Sequence, residues 1–92
     1  GRHGVAGADA DGSFWQAAPR VQQVNPIGAG DSFAAGLAVA LERGDPLREA
    51  ARVAVASGAA SVTTALAGHV DPATLTALLT ALLAEPAVEA AP

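Results

Sequence analysis

Apolar and polar positions along the chain read first as short strand-like stretches and then as longer helical ones. Val5-Ala6-Gly7-Ala8 and Ser13-Phe14-Trp15-Gln16 form two such stretches. Asp9-Ala10-Asp11-Gly12 between them carries hairpin chemistry, because an Asp-Gly pair tolerates the positive φ that a tight turn needs. A third short strand is predicted over residues 21–24, stopped by Pro26, which holds Asn25 extended. From there the period lengthens. A first helix is predicted over residues 31–43, with Gly44 as its C-terminal stop. Phe33, Leu37 and Leu41 recur every fourth position and predict one buried stripe, while Gly36 and the alanines let this helix approach its neighbours closely. Asp45-Pro46 supplies a cap followed by proline at the first helical position, opening a second helix over residues 46–62. Its charges, Arg48, Glu49 and Arg52, lie in the first two turns. Residues 53–60 are small and apolar on every side, which predicts burial all round. A glycine-containing loop follows over residues 63–70. Asp71-Pro72 repeats the capping device and opens a third helix to about Ala84, with Leu75, Leu78, Leu79, Leu82 and Leu83 on one face. Pro86 ends it, and the tail beyond is expected to fray.

This order predicts an α/β unit with no internal repeat or linker. Its 92 residues lie near the lower range at which a single core suffices. The apolar fraction of 51% is mostly Ala, Val and Leu, so the helices are expected to pack closely around few large anchors. A net charge of −4 argues against a nucleic-acid partner. No apolar run is long enough to span a membrane. Cysteine is absent, so neither disulfides nor thiol chemistry are available, which is compatible with a cytoplasmic location.

The candidate chemistry lies in Val24-Asn25-Pro26-Ile27-Gly28-Ala29-Gly30-Asp31-Ser32-Phe33. Gly28 and Gly30 let the backbone take unusual dihedrals and come close to a bulky ligand. The N–H groups of Ala29, Gly30 and Asp31 are expected to point outward, unpaired, at the positive end of the following helix. That arrangement suits a phosphate or a developing negative charge. Asp31 adds a carboxylate that can accept a hydroxyl proton. An anion hole beside a base is the apparatus of phosphoryl transfer to an alcohol.

From Asn25 to Phe33 the sequence resembles, without a gap, the second signature of the ribokinase-like (phosphofructokinase-B type) carbohydrate kinases. The resemblance extends more loosely over the whole chain and implies that residues 1–92 are the C-terminal fragment of such a kinase domain. It implies ATP-dependent phosphorylation of a sugar or sugar-phosphate hydroxyl, with ATP and Mg²⁺ required. Asp31 is then the catalytic base, touching both acceptor and nucleotide, and Gly28, Ala29 and Gly30 form the anion hole. Gly1, Arg2, His3 and Gly4 correspond to the nucleotide loop and Val55 to a residue near the adenine, with Gly30 and Asp31 completing the ATP contacts. The sugar pocket and the magnesium-associated motif are expected upstream, leaving no metal ligands here. A cytoplasmic enzyme is implied, and a homodimer of the complete enzyme stays open. Many relatives carry Asp at the position of Asn25, where in potassium-activated members it helps to hold the ion. Asn keeps an oxygen but loses the charge, which puts a monovalent cation in doubt. The Asn25-Pro26 pair instead resembles the phosphosugar branch, the 1-phosphofructokinase and tagatose-6-phosphate kinase types.

Each of these residues also has a plainer reading. Asp31 can serve as a helix N-terminal carboxylate worth up to about 1 kcal/mol. Gly28 and Gly30 can be turn glycines, and Gly1-Arg2-His3-Gly4 an ordinary turn. Val55 can be core, beside Ala56, Ser57 and Gly58, which make the helix thin enough for a flat ring. His3 and His69 read as loop histidines. For the whole chain, the alternatives are a non-catalytic nucleotide- or anion-binding module and a nucleoside or vitamin kinase of the same fold.

Overall fold

The computed structural model describes residues 3–64, 70–82 and 88–89. Two strands, β1 (Gly4–Asp9) and β2 (Gly12–Ala17), precede three helices, α1 (Ala29–Glu42), α2 (Leu47–Val62) and α3 (Pro72–Leu82), and a short β3 (Val88–Glu89). The sheet is antiparallel in the order β1-β2-β3. The hairpin followed by three helices is the α/β arrangement expected. Local expectations fail at two of the strands. Residues 21–24 form no strand, because the N–H of Val24 donates to the carbonyl of Val62 (2.6 Å) rather than to a neighbouring strand. Val88 and Glu89, in the tail expected to fray, pair with Trp15 and Phe14 of β2. Residues 83–87 and 90–92, and with them the end of the third helix at Ala84, lie outside the described residues.

The hairpin closes through Ala10 and Asp11, with Asp9 opposite Gly12. Gly12 takes the positive φ (120°), and the Asp9 carboxylate accepts the N–H of Asp11 at 2.8 Å. Alternation then sorts the side chains. Val5, Gly7 and Asp9 share a face with Phe14 and Gln16, and this face lies on α2, whereas Trp15 stays exposed on the other. Arg48, in the first turn of α2, fastens the two layers. Its Nε donates to Asp9 Oδ2 at 3.0 Å, and its guanidinium sits 4.8 Å from the centre of the Phe14 ring. That hydrogen bond, foremost, holds the Asp9 carboxyl below its ordinary pKa.

α2 is the hub, touching α1, α3 and both hairpin strands. Residues 53–60 are buried or half-buried throughout, as their composition predicts. Val55, Ala56 and Leu82 form the core cluster, with Phe33, Leu75, Leu78 and Leu79 packed against it. The α3 leucine stripe is therefore real over Leu75, Leu78, Leu79 and Leu82, while Leu83 lies outside the described residues. On α1 the stripe is shorter than expected. Phe33 and Leu37 are half-buried, but Leu41 remains 45% exposed, because α1 leans on α2 chiefly through its small residues.

The helix ends follow their local chemistry. Gly44, at φ 92°, closes α1 with Gly44 N–H on Leu41 O and Asp45 N–H on Ala40 O, both at 3.0 Å. Asp71 caps α3, accepting the N–H and the hydroxyl of Thr74 at 2.9 Å each. Asp45 does not do the same for α2. Arg43 occupies its carboxylate at 2.6 Å, and Pro46 becomes the residue before the helix.

Glycines set the spacing between α1 and α2. A Cβ on Gly36 would collide with the Ser57 side chain, whose own Cβ would lie 2.9 Å away. Gly58 brings α2 close to the first turn of α1, where an added Cβ would stand 3.3 Å from the Ala29 carbonyl oxygen. Gly36→Ala should therefore force the helices apart and lower unfolding free energy by about 1–3 kcal/mol, the usual cost of overpacking. Urea unfolding of the variant beside the native chain measures it, and an unchanged midpoint would mean that the contact gives way freely.

Candidate functional site

The loop that leads into α1 is held at both ends. The N–H groups of Val24 and Asn25 converge on the Val62 carbonyl, at 2.6 and 3.0 Å, and dock the loop on the C-terminal end of α2. Asn25 Oδ1 accepts the N–H of Ile27 at 3.0 Å, so this side chain shapes the turn into the glycines. Gly28 then adopts a left-handed conformation (φ 87°, ψ −1°) immediately before the helix. A side chain is strained there, which accounts for glycine at 28 in conformational terms.

Helix α1 begins at Ala29, two residues before the expected start, so Asp31 lies inside its first turn. This alters the anion hole. The N–H of Ala29 donates to the Pro26 carbonyl at 3.2 Å, and that of Ser32 to the Gly28 carbonyl at 2.9 Å. Ala29 is therefore not an open donor. The N–H groups of Gly30 and Asp31 have no acceptor among the described residues. Gly30 itself is exposed, and a Cβ built on it meets nothing within 4 Å. The protein's own packing does not require glycine at this position. Asp31 is exposed beside the two open amides.

Against this turn lies a cavity of about 460 Å³. Ala29 and Gly30 form part of its wall, Phe33, Val55, Gly58 and Val62 a further part, and residues of the 18–26 segment close it. Val55 packs in the core and also borders the cavity. Gly58 also reaches the cavity, but Ala56 and Ser57 do not. Ala56 is wholly buried, and Ser57 lies against Gly36 with its hydroxyl donating to Val53 O at 2.8 Å. Ala59 and Val62 line it instead.

Of the Gly-x-x-Gly run, Gly1 and Arg2 lie outside the described residues, as does His69. Gly4 has a structural reason to be glycine. It opens β1 at φ 142°, where a Cβ would lie 2.9 Å from the Ala17 Cα. His3 is exposed and borders a second, more open groove of about 830 Å³, floored by Leu78 and Leu82. The structure does not bring His3 or Gly4 to the cavity beside Gly30. Ala18 and Gln23 do line that cavity, and sequence reasoning missed them. The one sequence signal was a glutamine pair between two valines in the Pro19–Pro26 segment.

Among the described residues no three His, Cys, Asp or Glu side chains converge on a metal-sized site, and no helix is long and apolar enough to cross a membrane. Asp31 is the sole carboxylate in the loop and first turn. The side chains present here do not by themselves fit a Mg²⁺ site.

The profile of the pfkB family carbohydrate kinases matches residues 1–74. This chain belongs to that family. Its fold is similar to that of phosphofructokinase-2 from Escherichia coli, solved in complex with potassium. The TM-score is 0.82 at 23% identity, over 89% of this chain and 26% of that one. It is also similar to a putative ribokinase II from Escherichia coli in its apo form, with a TM-score of 0.77 at 24% identity, over 88% of this chain and 27% of the other. Phosphofructokinase-2 in complex with substrates and products matches at 26% identity with a TM-score of 0.74, over 89% of this chain and 26% of that one. The chain spans about a quarter of the length of these structures.

Proposed function

We propose that this chain is the C-terminal part of an ATP-dependent carbohydrate kinase that phosphorylates a sugar or sugar-phosphate hydroxyl. The observation that carries the reading is Gly30. Its missing side chain answers no need of the protein, its N–H is open, and it borders both an exposed carboxylate and an apolar cavity. A bound phosphate supplies the reason for glycine, and an aromatic base suits the cavity.

In this reading the nucleotide base lies against Val55 and Gly58, and its terminal phosphate meets the N–H groups of Gly30 and Asp31. The Asp31 carboxylate takes the proton of the acceptor hydroxyl as that oxygen bonds to the γ-phosphorus. The bond from phosphorus to the bridging oxygen breaks, and ADP leaves. The two amides stabilise charge on the transferring oxygens, where fixed donors act most strongly. Mg²⁺, which this chemistry ordinarily needs, would be held by phosphate oxygens and by residues outside this segment. Asn25 lacks the charge that a potassium site favours, and its Oδ1 already serves the turn. The phosphosugar branch remains the reading that the Asn25-Pro26 pair supports.

Titration of the 92-residue chain with ATP and with adenosine, followed by amide and methyl NMR, tests this assignment. ATP should shift the Gly30 and Asp31 amides and the Val55 methyls, whereas adenosine should shift the Val55 methyls alone. The segment should bind without phosphorylating any sugar, since the acceptor pocket is assigned elsewhere. Unmoved Gly30 and Asp31 signals at saturating ATP would sink the assignment.

A further inference from the structure

The wall of the 460 Å³ cavity is aliphatic, aromatic or glycine at every position except one, Gln23. This exposed residue stands in the 18–26 segment, on the ridge between the cavity and the second groove. No hydrogen bond with the described residues engages its side-chain amide. Ligand pockets combine apolar walls with a few polar groups that set orientation and specificity. Here one side chain is available for that task.

We propose that Gln23 reads the 6-amino edge of adenine and is the residue that selects the base. The inference rests on the nucleotide reading given above and adds to it a determinant of specificity. Apolar walls hold a flat ring by shape and contact, which leaves it free to slide or turn over. Adenine carries a 6-amino donor flanked by two ring acceptors, N1 on one side and N7 on the other. A primary amide presents one acceptor and one donor group side by side. Its oxygen can accept from the 6-amino group while its NH₂ donates to N1 or N7, the pairing that Gln makes with adenine elsewhere. None of the other cavity-lining side chains can do so. Water competes at an exposed rim, so the effect belongs at the lower end of the range for a paired amide, about fivefold in affinity.

The test compares ATP with purine riboside triphosphate, which lacks only the 6-amino group, on the native chain and on Gln23→Leu. Calorimetry gives four dissociation constants, and circular dichroism verifies that both proteins are folded. The native chain should prefer ATP by about fivefold or more, and Gln23→Leu should bind the two nucleotides equally. Gln23→Glu, which keeps the acceptor and loses the donor, should retain part of the preference and guards against a folding defect peculiar to leucine. An equal ATP preference in the native and leucine proteins would overturn the role of Gln23 and leave the nucleotide site standing. Failure of the native chain to bind either nucleotide would remove the site and this inference together.

Discussion

Asp31→Asn should lower turnover of the complete kinase by roughly 10²–10⁴, the usual contribution of a positioned general base. The substitution keeps shape and most hydrogen-bonding capacity but removes the proton acceptor and its charge. Asp31 is exposed, and among the described residues its side chain makes no hydrogen bond or ion pair. The fold should therefore survive, losing at most the modest favourable interaction of a carboxylate with the helix N-terminus. ATP affinity should hold or improve, because a negative charge beside the phosphates has gone. Steady-state kinetics and calorimetric ATP binding on the same preparations separate the outcomes. Normal turnover in the Asn variant would end the catalytic assignment. Loss of ATP binding with the fold intact would favour a binding module over a catalyst.

The sequence disclosed the helical half of the fold better than the connections. Small residues over 53–60 could belong only to a helix surrounded by neighbours, and α2 is that helix. Gly36 marked a close approach, and it lies against Ser57. What failed were choices among equally good local partners. Asp45 and Asp71 both precede proline, yet Asp71 accepts the Thr74 N–H as a cap and Asp45 does not, because Arg43 occupies the Asp45 carboxylate. Residues 21–24 have strand composition, but the open carbonyl of Val62 takes the N–H groups of Val24 and Asn25. That competition is decided by where the end of α2 lies, which no local pattern encodes.

The sequence foresaw a glycine turn entering a helix, but not where that helix starts. Gly28 precedes the helix as the glycine-rich run predicts, but Gly30 and Asp31 lie inside its first turn. Starting the helix at Ala29 commits the Ala29 N–H to the Pro26 carbonyl and narrows the open donors to two. The cavity wall was harder to foresee. Val55 was named through the family resemblance, whereas Gln23 sits in a stretch without regular structure, where spacing carries no directional information.

Gly30→Val should separate the ligand's demands from the protein's. The residue is exposed, its φ is not in the left-handed region, and an added Cβ meets no protein atom within 4 Å. Glycine is also a poor helix former, so valine should leave stability unchanged or slightly raised. Its branched side chain would nevertheless project into the space assigned to the transferring phosphoryl group and screen the open N–H groups. Losing one such donor typically costs about a hundredfold to a thousandfold in rate, and turnover should fall by that much. Gly28→Val is the contrasting control. At φ 87° a β-branched residue is strained, so that variant should lose stability as well as activity. Thermal melts and kcat/KM for the two variants give the comparison. A Gly30→Val enzyme with kinetics within about a factor of two of the native, far below the loss of an anion-hole donor, would show that the loop is a turn and that the phosphate lies elsewhere.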